Sequence, residues 1–197
     1  MWRPSGRSTL HPYGSDVAAC VGADVEPKDS PPDSNRAANP SALLAVDLGL
    51  RAGLALYGED GRLHSYRSHN FGSLPRLRAG AARILHEHPG LAWLVIEGGG
   101  VAAEAWARAA AKRALPVLQI SAETWRAAVL LDREQRSGAV AKQHADTLAR
   151  RVIGWSHAPK PTSLRHDAAE AILLGLWACV EVGWLPALPT DLRRLGS

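Results

Sequence analysis

The sequence predicts an α/β fold: a mixed five-stranded sheet, three antiparallel strands followed by two parallel ones, flanked by helices. Three observations predict it. Short apolar runs of buried-strand type open the ordered part of the chain and are joined by Gly-containing turns. Further on, apolar runs alternate with stretches of helical spacing, the pattern of parallel strands linked by crossovers. Residues 163–178 then read as a helix that is apolar on nearly every face, as a buried helix is.

Taken in order, residues 1–40 are rich in Pro, Ser, Asp, Arg and Gly and lack a sustained apolar period, so a disordered tail is expected. Residues 42–47 form the first strand and residues 53–57 its hairpin partner. Asp60-Gly61 turns the chain into a polar, edge-like third strand over 63–67. Helical spacing runs from Leu74 to His88 and stops at Pro89-Gly90. Residues 91–97 make a central strand with Glu97 at its C-terminal end, the end where open α/β sheets bind ligands. Gly98-Gly99-Gly100 leads into an alanine-rich helix over about 101–114, followed by a short strand over 116–120. Ser121 or Thr124 caps a segment at 125–131, a further helix spans about 140–153, and Pro159, Pro161 and Thr162 mark a loop before the last helix. The expected organisation is a tail over 1–40, one domain over 41–185 and a second tail over 186–197.

Composition bounds the function. A chain of 197 residues fits one domain with a tail, and a domain of about 150 residues buries roughly two thirds of its unfolded surface. The net charge of +4 permits a nucleic-acid partner without requiring one. Cys20 and Cys179 stand far apart in different settings, which supports neither a disulfide framework nor a cysteine metal cluster and points to a reducing compartment. No apolar run approaches the roughly 20 residues that span a bilayer, so a soluble protein is expected.

Acids are placed at telling points. Asp47 ends the first strand, Glu97 ends the fourth, and Asp167 and Glu170 share one face in the opening turn of the last helix, where the positive end of the macrodipole favours negative charge. Asp-x-x-Glu before an apolar run is also a capping box, and from spacing alone either reading stands. If the first and fourth strands are neighbours and the last helix crosses them, the four acids meet at one sheet end. Their mutual repulsion would raise their pKa values unless cations neutralised them, and hard oxygen donors imply magnesium or manganese.

Over residues 42–180 the chain resembles the RuvC-like Holliday junction resolvases of the ribonuclease H-like superfamily. The resemblance rests on Val46-Asp47-Leu48-Gly49 with Gly53, on Val95-Ile96-Glu97, and on His166-Asp167-Ala168-Ala169-Glu170-Ala171. It implies a ribonuclease H-like fold, two Mg2+ or Mn2+ ions held by Asp47, Glu97, Asp167 and Glu170, and His166 as a residue of the metal site or an orienter of water. Arg126 and Lys142 resemble the family's DNA-contacting basic residues, and Arg51, Lys112, Arg113, Lys160 and Arg165 are further cations available to phosphates. The implied activity is endonucleolytic nicking of branched DNA at a four-way junction during recombination and repair, by a homodimer whose symmetry matches the junction's. The implied location is the cytoplasm with the nucleoid, or an organelle if residues 1–40, with Arg3 and Arg7, are a transit peptide; Asp16, Asp24, Glu26 and Asp29 weigh against that. Three departures are visible: a shorter turn between Asp47 and Gly53, Leu48 where relatives often carry proline, and glycines after Glu97 where bacterial resolvases often carry an aromatic.

Other readings share some of these features. A YqgF-type nuclease acting on RNA has similar motifs, and a basic DNA-binding module without catalysis is a different class altogether. The actin-like kinase fold also uses an Asp-x-Gly opening but needs two such domains. His86-Glu87-His88 lacks a matching ligand pair for zinc. Of the tryptophans, Trp93 and Trp177 lie in core-like runs, whereas Trp106, Trp125 and Trp155 suit either packing or base stacking.

Overall fold

The structure, a computed structural model, describes residues 41–129 and 138–193; the expected tail over 1–40 lies outside them. Strands β1 (Ala42–Asp47), β2 (Arg51–Gly58), β3 (Leu63–Asn70), β4 (Leu91–Glu97) and β5 (Val117–Ile120) form one sheet in the order β3-β2-β1-β4-β5. The first three are antiparallel neighbours, and β4 joins β1 in parallel, as β5 joins β4. This is the mixed sheet that the sequence predicts.

Side-chain alternation divides the core into two layers. Leu44 and Val46 of β1, with Leu94 and Ile96 of β4, pack beneath α1 (Leu74–Glu87) and α2 (Gly100–Ala111). Leu43 and Ala45, with Val95, face the other way, beneath α3 (Ala122–Val129), α4 (Gly138–Trp155), α5 (His166–Glu181) and α6 (Thr190–Arg193). The same alternation carries Asp47 and Glu97 onto the α5 side.

Helix α5 is the central packing element of that layer, with every residue from Ala171 to Cys179 buried. It lies close on the sheet because β2 offers Gly53: a Cβ there would sit 1.8 Å from the Asp167 carbonyl oxygen, so only glycine permits the approach. Lower on the helix, the buried Tyr57 hydroxyl donates to the Ile172 carbonyl at 2.6 Å and ties α5 to β2.

Several boundaries differ from expectation for physical reasons. Strand β3 runs on to Asn70 because it pairs with β2 as far as Arg51, although its polar residues show no apolar alternation. Helix α5 starts at His166 with Arg165 as its N-cap, three residues beyond the apolar-rich reading that began at Ser163. Residues 186–197 are not wholly a tail, since α6 lies within them and buries Leu192 against the core. Trp106 and Trp125 are fully buried, which makes both packing residues and removes them from base stacking.

Candidate active site

A single transverse row of residues crosses the sheet: Ser68 on β3, Gly53 on β2, Asp47 on β1, Glu97 on β4 and Ile120 on β5 are successive register partners. The gap left by Gly53 is filled by the start of α5, which brings in Asp167 and Glu170. Gly98, at φ +102, then turns the chain away from β4 directly after Glu97. Two strands and one helix thus gather the four acids at the sheet end formed by the C-termini of β1 and β4.

The capping-box reading of Asp167 and Glu170 fails on geometry. Arg165 occupies the N-cap, so the two acids stand inside the first turns of α5. Each carboxylate has its own surroundings. Asp167 Oδ2 accepts from the Ser68 hydroxyl at 2.5 Å and its Oδ1 from the Ala168 amide at 2.9 Å. Glu97 Oε2 accepts from the buried Trp125 indole N–H at 2.5 Å. Glu170 pairs with Arg126 through one oxygen and with His166 Nε2 at 3.3 Å through the other, and Arg126 also reaches Glu97 Oε1 at 3.7 Å.

Asp47 is the exception. No hydrogen bond to its carboxylate forms among the described residues, and its pKa is pushed up from 3.8 to about 8 by burial and then by the charges of Glu170, Glu97 and Asp167, against which Arg126 pulls it down. Burial also raises Glu97, opposed by the Trp125 hydrogen bond and by Arg126. The centre therefore carries more negative charge than one guanidinium compensates.

Such a donor set, all carboxylate oxygens with surplus negative charge, fits a hard divalent cation. As placed, the side chains are turned to Arg126, Trp125 and Ser68 instead, and among the described residues no three His, Cys, Asp or Glu side chains form a ready ligand group. Arg126 is the cation that lies between Glu97 and Glu170.

The basic residues divide. Arg126 belongs to the centre itself, and exposed Arg51, at the start of β2, and exposed Arg165, just before α5, stand at the same sheet end. Lys112 does not: α2 runs back from the acidic end, and Lys112 follows its last turn at the opposite end, next to Arg113, which donates to the carbonyls of His88 and Pro89 ahead of β4. The side chain of Lys142 lies outside the described residues. Sequence reasoning missed two groups. The role of Trp125 was hidden because an indole reads equally as core. Ser68 shows itself only through register, as the hydroxyl one strand beyond Gly53.

With this geometry in view, the chain has the RuvC-like form of the ribonuclease H-like fold. Among solved structures it is similar to Thermus thermophilus RuvC bound to a Holliday junction substrate, at 18% identity and a TM-score of 0.50 over 73% of this chain and 96% of that one. It is similar also to the Thermus thermophilus RuvC structure, at 16% identity and a TM-score of 0.51 over 72% and 95%. No family profile matches the sequence, and no curated protein matches it.

Proposed function

We propose that this protein is a divalent-metal-dependent endonuclease that nicks phosphodiesters of branched DNA, with the four-way junction as its substrate. The observation that carries the proposal is the convergence of Asp47, Glu97, Asp167 and Glu170 at one sheet end, where burial and then the neighbouring carboxylates push the pKa of Asp47 up to about 8. The Thermus thermophilus protein bound to a junction has the same fold, which favours this substrate over others.

Asp47, Glu97, Asp167 and Glu170 would hold the ions, Mg2+ or Mn2+. When bound, paired ions supply activation of water and stabilisation of the leaving oxygen. The remaining work belongs to the chain. Ser68 and Trp125 orient the carboxylates of Asp167 and Glu97, the kind of support whose loss costs about 10- to 100-fold in metal affinity or activity. His166 sets the direction of Glu170. Arg51 and Arg165 offer positive charge to the sugar–phosphate backbone at the acidic end. A homodimer would set two such centres on the two strands of a symmetric junction.

One observation favours a second reading: Arg126 bridges Glu97 and Glu170, as it would in a binding module that neutralises its acids permanently. Both readings meet in one gel assay with Mg2+ on a four-way junction, a linear duplex, a single strand and an RNA/DNA hybrid, each with an Asp47→Asn control. Paired nicks in the junction, absent in the variant, support the proposal. Cleavage confined to RNA or hybrid refutes the junction and points to a YqgF-type activity, and tight binding without cleavage leaves the module.

A further inference from the structure

Beside the acidic centre, on the β3 side, lies a cleft of about 420 Å³ between that strand and the loop leading into α5. Its α5-side walls carry Lys160 and Arg165 with Ser68 and Ser163, its β3 edge passes through Ser65 and Arg67, whose side chains turn to the α1 face with Leu56 and Leu54, and no acidic residue lines it. Among the described residues no carboxylate pairs with Lys160 or Arg165. The Tyr66 hydroxyl donates to the Pro159 carbonyl at 2.6 Å and pins the loop to the strand, so the cleft is a built feature. Ser68 stands in both places at once, lining the cleft and donating to Asp167.

We propose that this cleft is a phosphate-binding subsite that takes a backbone phosphodiester of the nucleic-acid strand being cut, next to the phosphate at the carboxylates. The inference rests on the nuclease reading above and deepens it by fixing the path of the strand across β3. Positive charge immediately alongside the carboxylates favours the approach of a polyanion to them. Two uncompensated cations and the Ser163 hydroxyl suit the non-bridging oxygens of a phosphate, which carry no sequence information. Lys160 and Arg165 are thereby assigned a role in positioning the strand, and Ser68 links that position to the orientation of Asp167. Lys112, at the other end of the sheet, has no part in it.

The test uses the full chain in EDTA, so that binding is read without cleavage. Affinity for a fluorescein-labelled four-way junction is measured by anisotropy over a range of KCl concentrations for the wild type, for Lys160→Gln, Arg165→Gln and their double variant, and for Lys112→Gln, with thermal melting to verify folding. The expected result is a slope of log affinity on log salt that falls by about 0.9 for each phosphate the cleft variants no longer neutralise, and no change for Lys112→Gln. Unchanged slopes in folded cleft variants overturn the subsite while leaving the nuclease reading standing. A wild type that binds no nucleic acid overturns both. Protection of the wild type against melting by inorganic phosphate, with cleft variants that bind DNA at unchanged slope, identifies a free-phosphate site and likewise overturns the assignment.

Discussion

Replacing Asp47 by asparagine should stabilise the protein in the absence of divalent ions, and the gain should depend on pH in a defined way. The folded-state pKa of about 8 lies above the unfolded value of 3.8, so the unfolded chain releases this proton more readily. Stability linked to Asp47 is therefore fully present below pH 3.8, declines as pH rises, and is lost through pH 8, above which no further change occurs. At pH 7 the folded protein still keeps the proton, and from 3.8 to 7 at 1.36 kcal/mol per pH unit the cost is about 4 kcal/mol. Removing a strained charge at a functional site commonly returns about 0.5–2 kcal/mol. The variant, whose amide resembles the protonated acid, should thus gain between about 0.5 and 4 kcal/mol, and at about 2–4 °C per kcal/mol for a domain of this size its Tm should rise by at least about 1 °C. Calorimetry of both proteins in EDTA from pH 4 to pH 9 is the assay. A Tm difference that grows from pH 4 to pH 8 and then levels off agrees with the reasoning. A difference that is constant with pH, or a wild type more stable than the variant at pH 8, refutes the view that burial and the neighbouring carboxylates destabilise the ionised Asp47.

Three other substitutions test separate parts of the site. Arg126→Gln removes the guanidinium that bridges Glu97 and Glu170, so the ion-free protein should lose stability while its affinity for Mn2+, read by titration calorimetry, rises; weaker Mn2+ binding would show that Arg126 assists an ion rather than substituting for one. Trp125→Phe keeps most of the buried ring volume but deletes the hydrogen bond to buried Glu97, and should cost about 10- to 100-fold in metal affinity with about 1–3 kcal/mol in stability from the acceptor left unpaired, read by urea unfolding. Gly53→Ala forces a methyl group against the Asp167 carbonyl, and overpacking against backbone should destabilise by about 1–3 kcal/mol or more in urea unfolding; a variant as stable as the wild type would mean that α5 does not lie against β2 as described.

Much of this centre was legible in the chain, and the reason is local. Strands β1 and β4 match the residues at which Leu, Val and Ile runs begin and end, since a fully buried strand needs apolar side chains on both faces. Asp47 and Glu97 follow from those endings, and Asp167 and Glu170 from helical spacing. What could not be read depends on contacts across the fold. The polar end of β3 has no pattern of its own and takes its conformation from pairing with β2, which also hides Ser68. Trp125 looks like a core residue and is one, but its N–H is aimed at Glu97 only once α3 is packed. Arg126 reads as a surface cation, and nothing in its neighbours along the chain announces two carboxylates so far away in either direction.

The arrival of Asp167 and Glu170 on α5 has a consequence for the protein's synthesis. Strand β1 is made early, and its acid meets β4 much later, yet both wait for a helix that follows every strand and for the close seat that Gly53 provides. A chain emerging from the ribosome therefore carries the first two acids long before it possesses the other two. Contacts so distant in sequence form late in folding, so the cluster is complete only when nearly the whole domain has folded. A chain that stops short of α5 lacks Asp167 and Glu170, so the centre proposed above to hold metal cannot assemble until the last long helix has been made.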